Sequence, residues 1–114
     1  MSKIEMVLVP VSGEAQKVMV ERNSLVDHYR LIETDMVQAI SGQGWTVYLD
    51  EDGKEKRLRM NVLGTAYAIA LGWVPFNDDF LVGPVLFCGP ADWKGFDTAV
   101  TKRAKRIIFD VDEP

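Results

Sequence analysis

The chain holds one histidine and one cysteine among 17 acidic and 13 basic residues, which limits the chemistry it can do. His28 stands in "VDHYR", with Asp27 beside it and Glu33 a little over one helical turn further on. As a general base its imidazole needs an orienting carboxylate, for which Asp27 and Glu33 are the nearby choices, and a nucleophile from elsewhere. No nucleophile stands in a recognisable setting, so His28 reads as a surface or helix-end residue. A single histidine and a single cysteine exclude multi-histidine and Cys-x-x-Cys zinc sites. Asp50, Glu51 and Asp52 hint at calcium, but "DEDGKEKRLRMN" lacks the spaced oxygen ligands and closing glutamate of a calcium loop, and turn chemistry explains them. The glycines form neither a Walker A nor a Gly-x-Gly-x-x-Gly cradle for phosphates. The expectation is a protein that is not an enzyme and uses no metal or cofactor.

Contact residues are easier to nominate. "PFNDDF" sets Phe76 and Phe80 around two carboxylates, a loop able to bind protein, although packing of both rings onto the sheet is the preferred account. In "ADWKGF", Trp93, Lys94 and Phe96 either form a binding rim or let Trp93 seal the end of the core, and the sequence does not choose. Most basic residues fall into two short segments, 54–59 and 102–106. A nucleic-acid reading would use Arg57, Arg59, Lys102, Arg103 and Arg106, and requires them to converge on one face. The net charge of −4 opposes it, and solvated faces are the simpler account. A third reading is a pocket sequestering a small nucleotide-like ligand at a subunit interface, stacked on Tyr67 or Trp93 beside an arginine.

Ordinary elements must position these residues. A chain of 114 residues with 47% hydrophobic and 26% charged content fits one domain, 1–114, with 110–114 as a frayed acidic tail. "KIEMVLV" and "QKVMVE" alternate and predict a hairpin. Ser24 is placed to cap a short helix, with Asp27 as the acidic partner of a capping box and Leu25, Tyr29 and Ile32 at helical spacing. "DMVQAI" and "WTVYLD" predict a second strand pair around "SGQG". "DEDGKEK" then turns on Asp52-Gly53, where glycine would accept a positive φ, and "KRLRM" continues as a short strand.

Asn61 is a favoured helix cap for the least polar stretch of the chain. Leu63, Ala66, Tyr67, Ala70 and Leu71 then form the expected core face, and Gly72 and Pro75 stop the helix. On that reading Ala66→Asp would cost several kcal/mol. "FLVGPVLFCGP" at 80–90 reads as a buried central strand with Gly83-Pro84 at its start, and with Cys88 buried and reduced. "DTAVTKRAKRIIFD" predicts a last helix capped by Asp97, with Val100, Ala104, Ile107 and Ile108 facing inward. The fold class is α+β: a mainly antiparallel sheet with about three helices packed on it. The N-terminus has no signal-peptide core, and Val62 to Phe76 is short of a bilayer span, so a cytoplasmic setting without membrane contact is expected.

Three stretches together resemble a small family of unknown function found in bacteriophages, prophages and other mobile elements. They are "LIE" at 31–33; "LDEDGKEKRLRMNVLGTA", where Asn61 and Thr65 match an Asn-x-x-x-Thr element; and "LVGPVLFCG", similar to an Ile-Val-Gly-Pro strand. The resemblance covers roughly residues 20–90. Tyr29 and Arg30 replace a Gly-Gly pair common in the family before its Ile-Glu, which puts any function of that pair in doubt here. The resemblance implies a phage or mobile-element accessory protein. With no catalytic set in view, the expected action is binding a host component, with a protein as the preferred partner, during infection or defence evasion.

Overall fold

The computed structural model describes residues 3–110. The alternating N-terminal stretches form the first hairpin, β1 (Lys3–Val9) against β2 (Gln16–Glu21), with Met6 opposite Val18. Helix α1 (Leu25–Ile32) follows, and Ser24 caps it by accepting from Asp27 N at 3.1 Å. The Asp27 carboxylate accepts from Glu21 N at 3.1 Å, so it ties the helix back to the end of β2. Next come β3 (Val37–Gly42) and β4 (Trp45–Asp50), paired across a tight turn at Gln43-Gly44. After helix α2 (Val62–Leu71) and a 3-10 turn (Phe76–Asp78), β5 (Val85–Cys88) enters the middle of the sheet. Helix α3 (Lys102–Phe109) ends the described chain. Of the acidic tail expected at 110–114, all but Asp110 lies outside the described residues.

Strand order is β2-β1-β5-β4-β3, antiparallel throughout, which gives an α+β domain of five strands and three helices. Because side chains alternate along a strand, the sheet presents two apolar faces. Val7, Val9, Trp45, Val47, Val85 and Phe87 point to α2 and α3, where Ala68, Leu71, Ala104 and Ile108 meet them. Met6, Val20, Leu86 and Cys88 point the other way, against Ile32 of α1. The central strand β5 is buried on both sides, which explains its unbroken apolar sequence.

Several local expectations are corrected. In α2 the buried residues are Gly64, Thr65, Ala68 and Leu71, whereas Leu63, Ala66 and Ala70 are exposed and Tyr67 is half-buried. The helix is apolar on every side, so periodicity could not select a face. Its rotation is set by close approach instead: a Cβ at Gly64 would stand 2.9 Å from both Asn61 and Val85.

"KRLRM" forms turns, with only Met60 bridging to Val82. Buried Asp50 organises them, accepting from Asp52 N and from Lys56 Nζ, both at 2.8 Å. Burial opposes the charge on Asp50, but these donors outweigh it and hold its pKa below the usual carboxylate range. Gly53 is required for space, since its Cβ would lie 2.7 Å from Val82 Cγ2; the positive φ in this region belongs to Arg57. Finally, α3 is capped by Thr101, which accepts from Ala104 N at 3.1 Å, and Asp97 is used elsewhere.

Candidate functional site

Asn61 sits at the junction of three elements. Its amide donates to Val9 O and Gly83 O, each at 2.9 Å, while its Oδ1 accepts from Gly64 N at 2.7 Å. Its backbone N–H donates to Leu81 O at 2.8 Å. One turn on, Thr65 Oγ1 accepts from Leu81 N at 2.9 Å. The Asn-x-x-x-Thr element therefore fixes the start of α2 to the end of β1 and the entry to β5, and commits both amide hydrogens of the buried Asn61 to backbone carbonyls. Gly83, with a φ of 71°, lets the chain turn there, and Pro84 stands one residue before β5.

The same three stretches that carry the family resemblance meet around this junction. Glu33, Leu58, Arg59, Gly83 and Pro84 line an open cavity of about 300 Å³ with a mostly apolar floor and one charge of each sign. Its lining contains no histidine, cysteine or hydroxyl group that could act as a nucleophile or proton carrier.

On the α1 face, His28 is buried, as are Asp97 and Cys88, and sequence reasoning missed this cluster. His28 Nε2 lies 3.2 Å from Asp97 Oδ2, and Nδ1 is hydrogen-bonded to the Ser24 carbonyl oxygen. Tyr48 OH donates to the other Asp97 oxygen and its ring meets the imidazole edge-on, centroids 4.5 Å apart. Asp97 N donates to Asn23 Oδ1 at 2.8 Å. Both imidazole nitrogens face acceptors, so the arrangement suits the doubly protonated ring.

The titration behaviour follows from these contacts. Burial disfavours charge on His28, but the Asp97 and Ser24 hydrogen bonds and the carboxylates of Asp97 and Asp27 outweigh it and raise its pKa. Burial likewise opposes ionised Asp97, and His28 and Tyr48 together overcome it, so its pKa is lowered. Tyr48 is raised by burial and by its bond to Asp97. Burial, with the Asp97 charge nearby, pushes the Cys88 thiol up to about 12, which removes it as a nucleophile at neutral pH. With both ring nitrogens committed, the His28 cluster has the composition of a catalytic site and the connectivity of a structural one.

The nominated contact residues are dispersed. Phe76 is 82% exposed and Trp93 89% exposed, so neither packs into the core. Phe80 is partly covered and carries Lys54 Nζ 4.9 Å over its ring, while Phe96 carries Arg22 at 5.7 Å and Lys94 lies 5.0 Å over Trp93. Phe80 lies by Leu49 and Val82, near where β4 ends, whereas the 92–96 loop follows the other end of the sheet, with Phe96 by Arg22 after β2. The two loops do not form one rim.

Basic residues separate in the same way. Arg59 accepts from Gly83 N at 2.9 Å through its carbonyl, beside the start of β5. Arg103 shares a cavity wall with Trp45 at the opposite end, where β4 begins. Arg57 belongs with Arg59, and Lys102 and Arg106 with Arg103, so the two segments do not converge. Tyr67 lines a cavity with Leu63 and Phe109 that has no arginine in its wall. Among the described residues there is no group of three or more potential metal ligands, and no helix is long and apolar enough to cross a membrane.

The chain matches a family model described as "Domain of unknown function (DUF3846)" over residues 4–109, nearly all of the described fold, and it is a member of that family. The match extends well beyond the roughly 20–90 region of resemblance and carries no link to phages. No curated protein and no solved structure matches the chain.

Proposed function

We propose that this domain is a non-enzymatic binding module that engages a protein partner through the loop between α2 and β5. The observation that carries the reading is the tip of that loop, where Val74 and Phe76 are 87% and 82% exposed. Asn77 and Asp78 follow directly in left-handed conformations, φ 52° and 57°, an uncommon pairing of non-glycine residues. The rest of the loop is held firmly. Asp79 pairs with Lys54, Phe80 N donates to Asp79 Oδ1 at 2.8 Å, and Leu81 is pinned by Thr65. A large apolar side chain presented on a fixed loop is the kind of group that becomes an interface anchor when a partner removes it from water.

The basic segments lie at opposite ends of the sheet, which favours a protein over nucleic acid as the partner. A host protein met during infection or defence evasion is the partner implied by the mobile-element resemblance, and that setting rests on the resemblance alone. The test is affinity capture of the tagged domain from lysate of its source cells, with and without nuclease, beside a Phe76→Ser variant. One dominant protein that survives nuclease and is lost with Phe76→Ser is expected. Capture that depends on nucleic acid, or that ignores Phe76, would sink the reading.

A further inference from the structure

Trp45 is fully enclosed in the larger core, 1% exposed, yet its indole Nε1–H has no acceptor. Among the described residues it is the only buried side-chain nitrogen or oxygen without a hydrogen-bond partner. A buried donor left unpaired destabilises the fold, and phenylalanine would fill most of the same space without that cost. The position of this N–H is therefore informative.

Nε1 stands between two glycines. Any Cβ at Gly42 would collide with the indole, so the ring lies directly against the β3 backbone. On the other side Gly72 ends α2 with a φ of 124°, and Trp45 Nε1, at 3.8 Å, is the only heavy atom near the place its Cβ would occupy. On this Gly72 side Gln43, Trp45, Leu71, Gly72 and Arg103 wall an open cavity of about 410 Å³. That volume lies within the range of small-molecule sites.

The lining has a consistent polarity. Gln43 offers an amide, Trp45 an indole N–H and Arg103 a guanidinium, and no carboxylate is present. Arg103 is exposed and makes no ion pair among the described residues. The C-terminal end of α2 adds partial negative charge, which the first turn of α3, carrying Arg103, offsets. Leu71 supplies an apolar wall.

We propose that this cavity binds a small organic oxyanion, one oxygen accepting from Trp45 Nε1–H, the Arg103 guanidinium pairing with its charge and Leu71 covering its apolar part. Gly72 is where the Phe76 loop begins, but Val74, Phe76, Asn77 and Asp78 at the loop's tip are not in the cavity wall, so either reading can stand without the other. A carboxylate and a phosphate share this chemistry, so both are used as probes.

The experiment follows the indole N–H resonances of the 15N-labelled protein during titration with benzoate, phenyl phosphate and the uncharged control benzyl alcohol, at constant ionic strength. The three tryptophans are assigned with Trp73→Phe and Trp93→Phe. The Trp45 signal is expected to move saturably with at least one anion while Trp93 stays fixed, and the anion that acts identifies the head group. Arg103→Gln should weaken binding at least tenfold, as loss of a charge-assisted contact does, and Lys102→Gln, outside the cavity wall, should leave it unchanged. No saturable shift with either anion, an equal response to benzyl alcohol, or a response that survives Arg103→Gln would overturn the proposal. Because Arg103 is exposed, a matching thermal melt separates loss of the site from loss of the fold.

Discussion

On the α2 face of the sheet the buried polar centre is Asn61, a neutral amide whose bonds all go to backbone groups. On the α1 face it is His28 with Asp97 and Tyr48, joined side chain to side chain and carrying charge. The first holds its geometry whatever the pH, because neither an amide nor a peptide group titrates in the ordinary range. The second is complete only while imidazole is protonated and carboxylate is not. One small domain thus buries polarity in two ways, one insensitive to acid and base and the other dependent on both.

The largest effect that would break this contrast is Asp97→Asn. It leaves the histidine side of a buried pair without its counter-charge and should cost about 3–5 kcal/mol in urea unfolding near pH 6. The pH dependence has a definite sign. The raised pKa of His28 contributes stability in full below its unfolded value of about 6.5, and that contribution fades as pH rises through the folded value. The lowered pKa of Asp97 contributes above about 3.9 and is lost as pH falls through its depressed folded value. The wild type should therefore lose stability from pH 6 to pH 9 relative to the Asp97→Asn variant, and parallel profiles would show that the network is not ionic.

Asn61→Ala should cost about 2–3 kcal/mol, because it removes the helix cap and unpairs Val9 O and Gly83 O. Its deficit should be the same at pH 6 and pH 9, and a pH-dependent deficit would erase the distinction between the two faces. The smallest effect concerns Ala66→Asp. With Ala66 exposed on α2, the substitution should change stability by no more than about 0.5 kcal/mol. A loss of several kcal/mol in the same unfolding assay would mean that the helix is rotated from the orientation described.

What the sequence made legible was local. The first hairpin, the Ser24 and Asn61 caps and the Gly83-Pro84 entry to the central strand depend on patterns a few residues long and stand where those patterns placed them. β3 is shifted two residues on from the expected 35–40, so that Ser41 and Gly42 join the strand and only Gln43-Gly44 turns. The face of α2 was not legible, since Val62, Leu63 and Ile69 remain exposed and blur any stripe. Asp97 was misread as a cap because its type suits one; its real partners, His28 and Tyr48, are brought to it only by the tertiary fold. Trp45 showed the same limit. An indole in a strand reads as core, and nothing in the chain order tells that its N–H ends beside Gly72 and Arg103.

The strand order has a consequence in time. β1 precedes the other four strands in chain order, but its inner neighbour is β5, the last of them, with Val7 opposite Phe87. Until that late strand emerges, β1 can pair only with β2, and one apolar hairpin edge stays open while the β3-β4 hairpin waits on the far side. β5 is the last of the five strands in chain order, so closing the centre of the sheet is a long-range step, of the kind that slows folding. The same unfinished edge is where a nascent chain could pair with a copy of itself.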